Sequence, residues 1–307
     1  MKSIIRYFIA LIISFSVISC SKVPITGRKQ LKLLPNSMLL QMGEANYATF
    51  LKDNPAVHPP TRESAEVTAV GVRVSQAVDR FMNDNGMSKN IAGYKWEFNI
   101  VDSKDINAWC MPGGKVVVYT GIMPLVKDDA GLAVVMGHEI AHAIANHGNE
   151  RMSQQLAIQL GGISLAVAMQ QKPQQTQDIF MASYGVASTL GSLAYSRQHE
   201  LEADKLGLIF MAMAGFDPAR AVSFWQEMAR ASAANKPPEF LSTHPSDERR
   251  IAQIQAFLPE AQKYYQAKSG NPAAGVKDNG NKPPVSQPPQ AIPPKSPDAK
   301  KLGLKVK

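Results

Sequence analysis

The chain has 307 residues, 45% hydrophobic and 19% charged, with two cysteines and a formal net charge of +8. That length allows one sizeable core, and two cysteines exclude a disulfide-dense scaffold. The positive charge is terminal: from Lys268 onward eight lysines face Asp278 and Asp298, giving +6, and Lys2 and Arg6 add +2, so residues 20–267 are formally neutral and nucleic-acid binding by the folded body is disfavoured.

Residues 1–19 read as a targeting leader, with Lys2 and Arg6 before the apolar stretch 7–18. That stretch is shorter than the roughly 20 residues an ordinary spanning helix needs. It ends in Val17-Ile18-Ser19-Cys20, which resembles a bacterial lipobox. The resemblance implies cleavage before Cys20 and a lipid on that cysteine. Ser21 and Lys22, with no aspartate, point to the periplasmic side of the outer membrane. The alternative is a plain secretory signal with an incidental cysteine and a protein secreted to the periplasm. With Cys20 acylated, no intrachain disulfide remains, and Cys110 reads as a small apolar filler.

Residues 20–60 read as a linker and first helix. Apolar positions at helical spacing (Val67, Val70, Val74, Val78, Phe81) predict a helix over 64–85 with Gly86 as its stop. Tyr94, Trp96, Phe98 and Ile100 alternate as a half-buried strand. Pro112-Gly113-Gly114 breaks the chain before 115–119, a β-branched run that reads as a second strand. A helix over 129–147 follows, with Asp128 or Asp129 as N-cap. From there to residue 265 the pattern is almost entirely helical. Residues 156–169 form an apolar run of 14, which reads as a buried helix or a mobile cover over the site. Residues 268–307, rich in Pro and Lys without aromatics, are expected to be a disordered tail. The fold class is therefore α+β, mainly helical with a small sheet.

The chemistry sits at His138-Glu139-Ile140-Ala141-His142. One helical turn puts both imidazoles on one face, where they can take two corners of a tetrahedral zinc site. Glu139, one step along, can reach a metal-bound water as general base, which suggests metal-assisted peptide hydrolysis. A third ligand is required. The metzincin continuation is absent, since Ala145 and Gly148 stand where that pattern has Gly and His. Glu150 and Asp178 lack a supporting pattern. Glu200 and Asp204 are four apart on a predicted helix, so one can ligate while the other orients a ligating histidine.

The H-E-x-x-H motif followed by Ser196-Arg197-Gln198-His199-Glu200-Leu201-Glu202-Ala203-Asp204, ending at Gly207, resembles the M48 family of zinc metallopeptidases. The resemblance implies a gluzincin-type domain over 61–267. It implies one Zn2+ held by His138, His142 and Glu200, with Asp204 supporting and Glu202 left to an ion pair or packing. The segment 107–114 is similar to the family's N-A-x-x-x-P-G-G stretch, implying an edge strand over the zinc to which extended substrate adds. Thr243-His244-Pro245-Ser246 with Arg250 resembles the T-H-P segment of the periplasmic subgroup. His244 is then an inhibitory fourth ligand or a transition-state hydrogen-bond donor, and Arg250 supports it or the oxyanion. Val23 to Pro35, with Thr26-Gly27-Arg28, is similar to the start of lipoprotein members. The likeness is to soluble outer-membrane assembly-associated proteases.

Of the other histidines, His58 precedes Pro59-Pro60 and reads as solvated. His147 lies about 140° around a continuous helix from His142, so it is expected to point elsewhere, at the surface or helix end. His199 cannot share the face of Glu200. The leading expectation is an envelope endopeptidase acting on extended or unfolded polypeptide, membrane-bound through Cys20 and associated with envelope assembly machinery. An assembly factor with a largely structural or self-inhibited zinc site is the alternative. A cell-wall amidase is a weaker third.

Overall fold

A computed structural model describes residues 20–159, 164–186, 196–233, 240, 244 and 248–268. Residues 1–19 and 269–307, on which the leader and tail expectations fall, and residues 243 and 245–246 beside His244 lie outside the described residues. The body is α+β and mainly helical. Strands β1 (Cys20–Lys22) and β2 (Lys29–Leu31) pair as a short antiparallel hairpin that sequence periodicity did not reveal. Helix α1 (Asn36–Asp53) leads to α2 (Arg62–Asp84), whose start is set by a reciprocal capping box between Thr61 and Ser64.

A three-stranded sheet follows, with β3 (Glu97–Val101), β4 (Ala108–Met111) and β5 (Lys115–Tyr119) in the order β3-β5-β4. Strand β5 is central, parallel to β3 and antiparallel to β4. All five of its residues are buried, which explains a β-branched run without polar alternation. Val116 and Val118 join the core beneath α2, while Val117 and Tyr119 join Trp109 and Met111 in a second core against α1. The sheet is thus covered on both faces.

Helix α3 (Asp129–Ile144) is capped by Asp128, whose side chain accepts from the Gly131 backbone N–H. The expected helix over 129–147 is interrupted: Asn146 adopts φ 58°, and α4 (His147–Gln159) starts afresh. Residues 156–169 are not one buried helix. Residues 160–163 lie outside the described residues, the N-cap Ser164 is extended and starts α5 (Leu165–Gln171) as a separate helix, and Ile158 and Met169 are exposed while Leu156 and Leu165 are buried. Helix α6 (Pro173–Ser183) precedes α7 (Arg197–Met213), α8 (Arg220–Ala233) and α9 (Glu248–Lys268). Among the described residues no helix is long and apolar enough to cross a membrane.

Helices α3 and α7 cross backbone to backbone. A Cβ on Gly207 would lie 2.9 Å from both Gly137 C and His138 N. Only glycine permits that approach, which brings the helix of His138 against the helix of Glu200. We expect Gly207→Ala to separate the helices and to cost about 1–3 kcal/mol of stability. Urea unfolding of the metal-free protein checks it, and an unchanged midpoint would refute the packing argument.

Candidate metal centre

His138 and His142 project from α3, Glu200 from the first turn of α7, and His244 from the segment between α8 and α9. All four are buried. Their candidate ligand atoms lie within 4.8 Å of one another. His142 Nε2 is 3.0 Å from His138 Nε2, and His244 Nδ1 is 3.2 Å from His138 Nε2 and 3.1 Å from Glu200 Oε1. Glu200 lies 3.4 Å from each of His138 and His142. Tetrahedral bonds of about 2.0–2.1 Å place neighbouring ligand atoms about 3.3 Å apart, so three imidazoles and a carboxylate at these spacings fit a metal such as zinc.

The electrostatics agree with that fit. Burial pushes the His142 imidazole well below its usual pKa, leaving a neutral ring with a lone pair to offer. Burial alone would raise the Glu200 carboxyl, but His244, Arg250, His138 and His142 together hold it well below the usual carboxylate range. At His138 burial opposes protonation, yet Asp204 and Glu200 hold the ring at about 9. A proton there occupies the place a cation would take.

Around the cluster a second layer fixes the donors. Asp204 Oδ1 lies 3.0 Å from His138 Nδ1, turning Nε2 toward the cluster. Arg250 grips both oxygens of Asp204 at 2.7 and 2.8 Å, reaches Glu200 Oε2 at 2.8 Å, and lies 3.5 Å over the Trp225 ring. It braces the carboxylates and also approaches the His244 carbonyl at 3.4 Å. Glu139 is buried beside the cluster, 3.4 Å from His244 Nε2, and burial raises its carboxyl toward the range useful to a base. Strand β4 packs against α3 and forms the edge of its sheet.

The expectation for His147 is corrected. It is fully buried, with Nδ1 2.9 Å from His142 Nδ1 and Nε2 2.9 Å from Glu202. The angular argument assumed an unbroken helix, and the left-handed Asn146 invalidates it by redirecting the chain. Glu202 is in an ion pair with Arg28, at 2.8 Å, and accepts from Thr26 Oγ1. His199 is not one of the clustered ligand residues and meets Glu150 at 3.0 Å. Burial would raise the Glu150 carboxyl, but His199 and Arg28 hold it down at about 2. His58 is exposed and Cys110 is buried and free. The roles of His147, Arg28 and Glu150 escaped sequence reasoning because no local spacing links them.

Comparison with known proteins supplies the relationship. Residues 72–258 match peptidase family M48. The chain is 32% identical to the mitochondrial metalloendopeptidase OMA1 of Schizosaccharomyces pombe over 246 residues, covering 78% of this chain and 67% of that protein. It is 30% identical to the human mitochondrial metalloendopeptidase OMA1, covering 86% of this chain and 48% of that protein. It is 27% identical to the beta-barrel assembly-enhancing protease of Escherichia coli, covering 76% and 46%. The chain therefore spans about half the length of the latter two.

Proposed function

This chain belongs to peptidase family M48, a metallopeptidase family, and on that premise we propose that it is a zinc-dependent endopeptidase of the bacterial cell envelope. In this reading it degrades unfolded or misassembled proteins from the periplasmic side of the outer membrane, anchored through a lipid on Cys20. The observation that carries the activity is the cluster of His138, His142, Glu200 and His244 at tetrahedral spacing with Glu139 beside it. The leader and lipobox-like Cys20, and the likeness to a protease named for β-barrel assembly, support the envelope location.

His138, His142 and Glu200 would hold the zinc, oriented by Asp204 and Arg250. Zinc, when bound, supplies a Lewis acid that polarises the scissile carbonyl and acidifies a water. Glu139 takes a proton from the attacking water at its carboxylate and delivers it to the departing amide nitrogen. Strand β4 ends its sheet among the described residues, with all four of its residues buried, and in this reading its edge offers backbone hydrogen bonds to an extended chain with little sequence demand. Casein hydrolysis by the purified protein, lost on chelation and restored by zinc, tests this reading. Undiminished hydrolysis in chelator would reject it.

His244 would take the fourth position on a metal held by the other three, and a four-coordinate site so filled would need it to withdraw before a water could enter. We expect His244→Ala to raise basal casein cleavage several-fold. A drop of about a hundredfold would instead make His244 a transition-state donor. The same closed corner favours a second reading, an assembly factor with a structural zinc site. Cellular complementation by Glu139→Gln would support that reading over the protease.

A further inference from the structure

The hairpin loop between β1 and β2 reaches the layer behind the metal-ligand cluster. Arg28 donates from Nε to Glu202 at 2.8 Å and from its two Nη atoms to both oxygens of Glu150, at 3.1 and 2.7 Å. Glu150 stands on α4 and Glu202 on α7. Each also meets a histidine of the opposite helix, so His147 pairs with Glu202 and His199 with Glu150. The two rings stack with centroids 4.5 Å apart. One guanidinium therefore closes two crossed His–Glu pairs.

One assignment of ring protons satisfies the path from this clamp to the cluster. His142 directs Nε2 into the cluster, so its Nδ1 carries the proton. That N–H donates to His147 Nδ1 at 2.9 Å, leaving the proton of His147 on Nε2. His147 Nε2–H then donates to Glu202 Oε2, whose carboxylate Arg28 and Thr26 hold. The other tautomer of His147 would leave Nε2 and the carboxylate facing each other as two acceptors. An outer partner of a ligating histidine fixes its tautomer and ring orientation, and removing such a partner costs roughly ten- to a hundredfold in metal affinity.

We propose that Arg28 is a positioning residue of the metal centre, acting through Glu202 and His147 on His142. The inference rests on the reading that His142 is a metal ligand. It makes the N-terminal hairpin part of the site, although Arg28 and Glu202 are 174 residues apart.

The test is a zinc titration of the purified protein against a chromophoric chelator. The variants are Arg28→Ala, His147→Leu, His147→Gln and the double variant Arg28→Ala/His147→Leu. Arg28→Ala and His147→Leu should each weaken zinc binding about tenfold or more. His147→Gln keeps an acceptor toward His142 and a donor toward Glu202, and should restore most of the affinity. The double variant should bind no more weakly than His147→Leu alone, because both substitutions cut one path. Additive losses, or Arg28→Ala lowering the melting temperature of the metal-free protein at unchanged zinc affinity, would overturn the inference. If Arg28→Ala does not fold, equal affinities for His147→Leu and His147→Gln overturn it. Wild-type protein that binds no zinc would defeat the proposed function itself, whereas tight wild-type binding with unaltered Arg28→Ala refutes only the role of Arg28.

Discussion

Glu139→Gln will lower casein hydrolysis by about 10²–10⁴-fold and leave the protein folded and metal-loaded. The substitution keeps the side chain's size while removing the group that accepts and returns the proton. Glu139 is 3% exposed, and among the described residues its Oε1 makes no hydrogen bond, with His244 Nε2 standing 3.4 Å away. Holding a carboxylate there costs desolvation free energy, which is what raises its pKa. A neutral amide avoids that cost, so the variant should melt at or above the wild-type temperature. Its zinc affinity should match wild type, because the ligand atoms belong to other residues. Steady-state hydrolysis, a thermal melt and a zinc titration on the same preparation separate these effects. Equal activity in wild type and variant would sink the catalytic assignment, whatever the melt shows.

Arg250→Ala should produce the largest loss of stability among single substitutions around the centre, about 3–5 kcal/mol for the metal-free protein. Arg250 is 3% exposed and neutralises Asp204 and Glu200, two buried carboxylates on one turn of α7. Removing it leaves these two buried carboxylates with His138 as their remaining close cationic partner, and it also removes the guanidinium from the face of Trp225. Arg250→Lys retains the charge but not the planar fork to Asp204, so an intermediate loss is expected. Bound zinc should offset part of the deficit through Glu200, making the destabilisation larger in chelator than in zinc. Urea unfolding in both conditions measures this. A loss below about 1 kcal/mol in chelator would show that the carboxylates do not depend on Arg250.

Local pattern carried a large part of this molecule. The spacing of Val67 to Phe81 located α2 to within two residues, and the run 115–119 located β5. Neither indicated that β5 is central and covered on both faces, because a strand's partners lie elsewhere in the chain. The helix of the metal motif was legible from its apolar content and Asp128, yet its end was not. A non-glycine residue in the left-handed region leaves little trace in composition, and Asn146 passed as helical. That one dihedral placed His147 behind His142 rather than at the surface.

By itself, the sequence determined the reaction class and the parts of the centre that follow from helical periodicity. His138, Glu139 and His142 share one turn of α3, and Glu200 and Asp204 share one turn of α7. Residues four apart on a helix are neighbours wherever the helix goes. Tertiary structure alone decided how the two helices meet, through the contact of Gly137 and Gly207. It also brought His244 beside His138, His142 and Glu200 and placed Arg28 behind that cluster. Those contacts join segments separated by loops whose paths depend on the packing of the whole core. Periodicity carries no information about them.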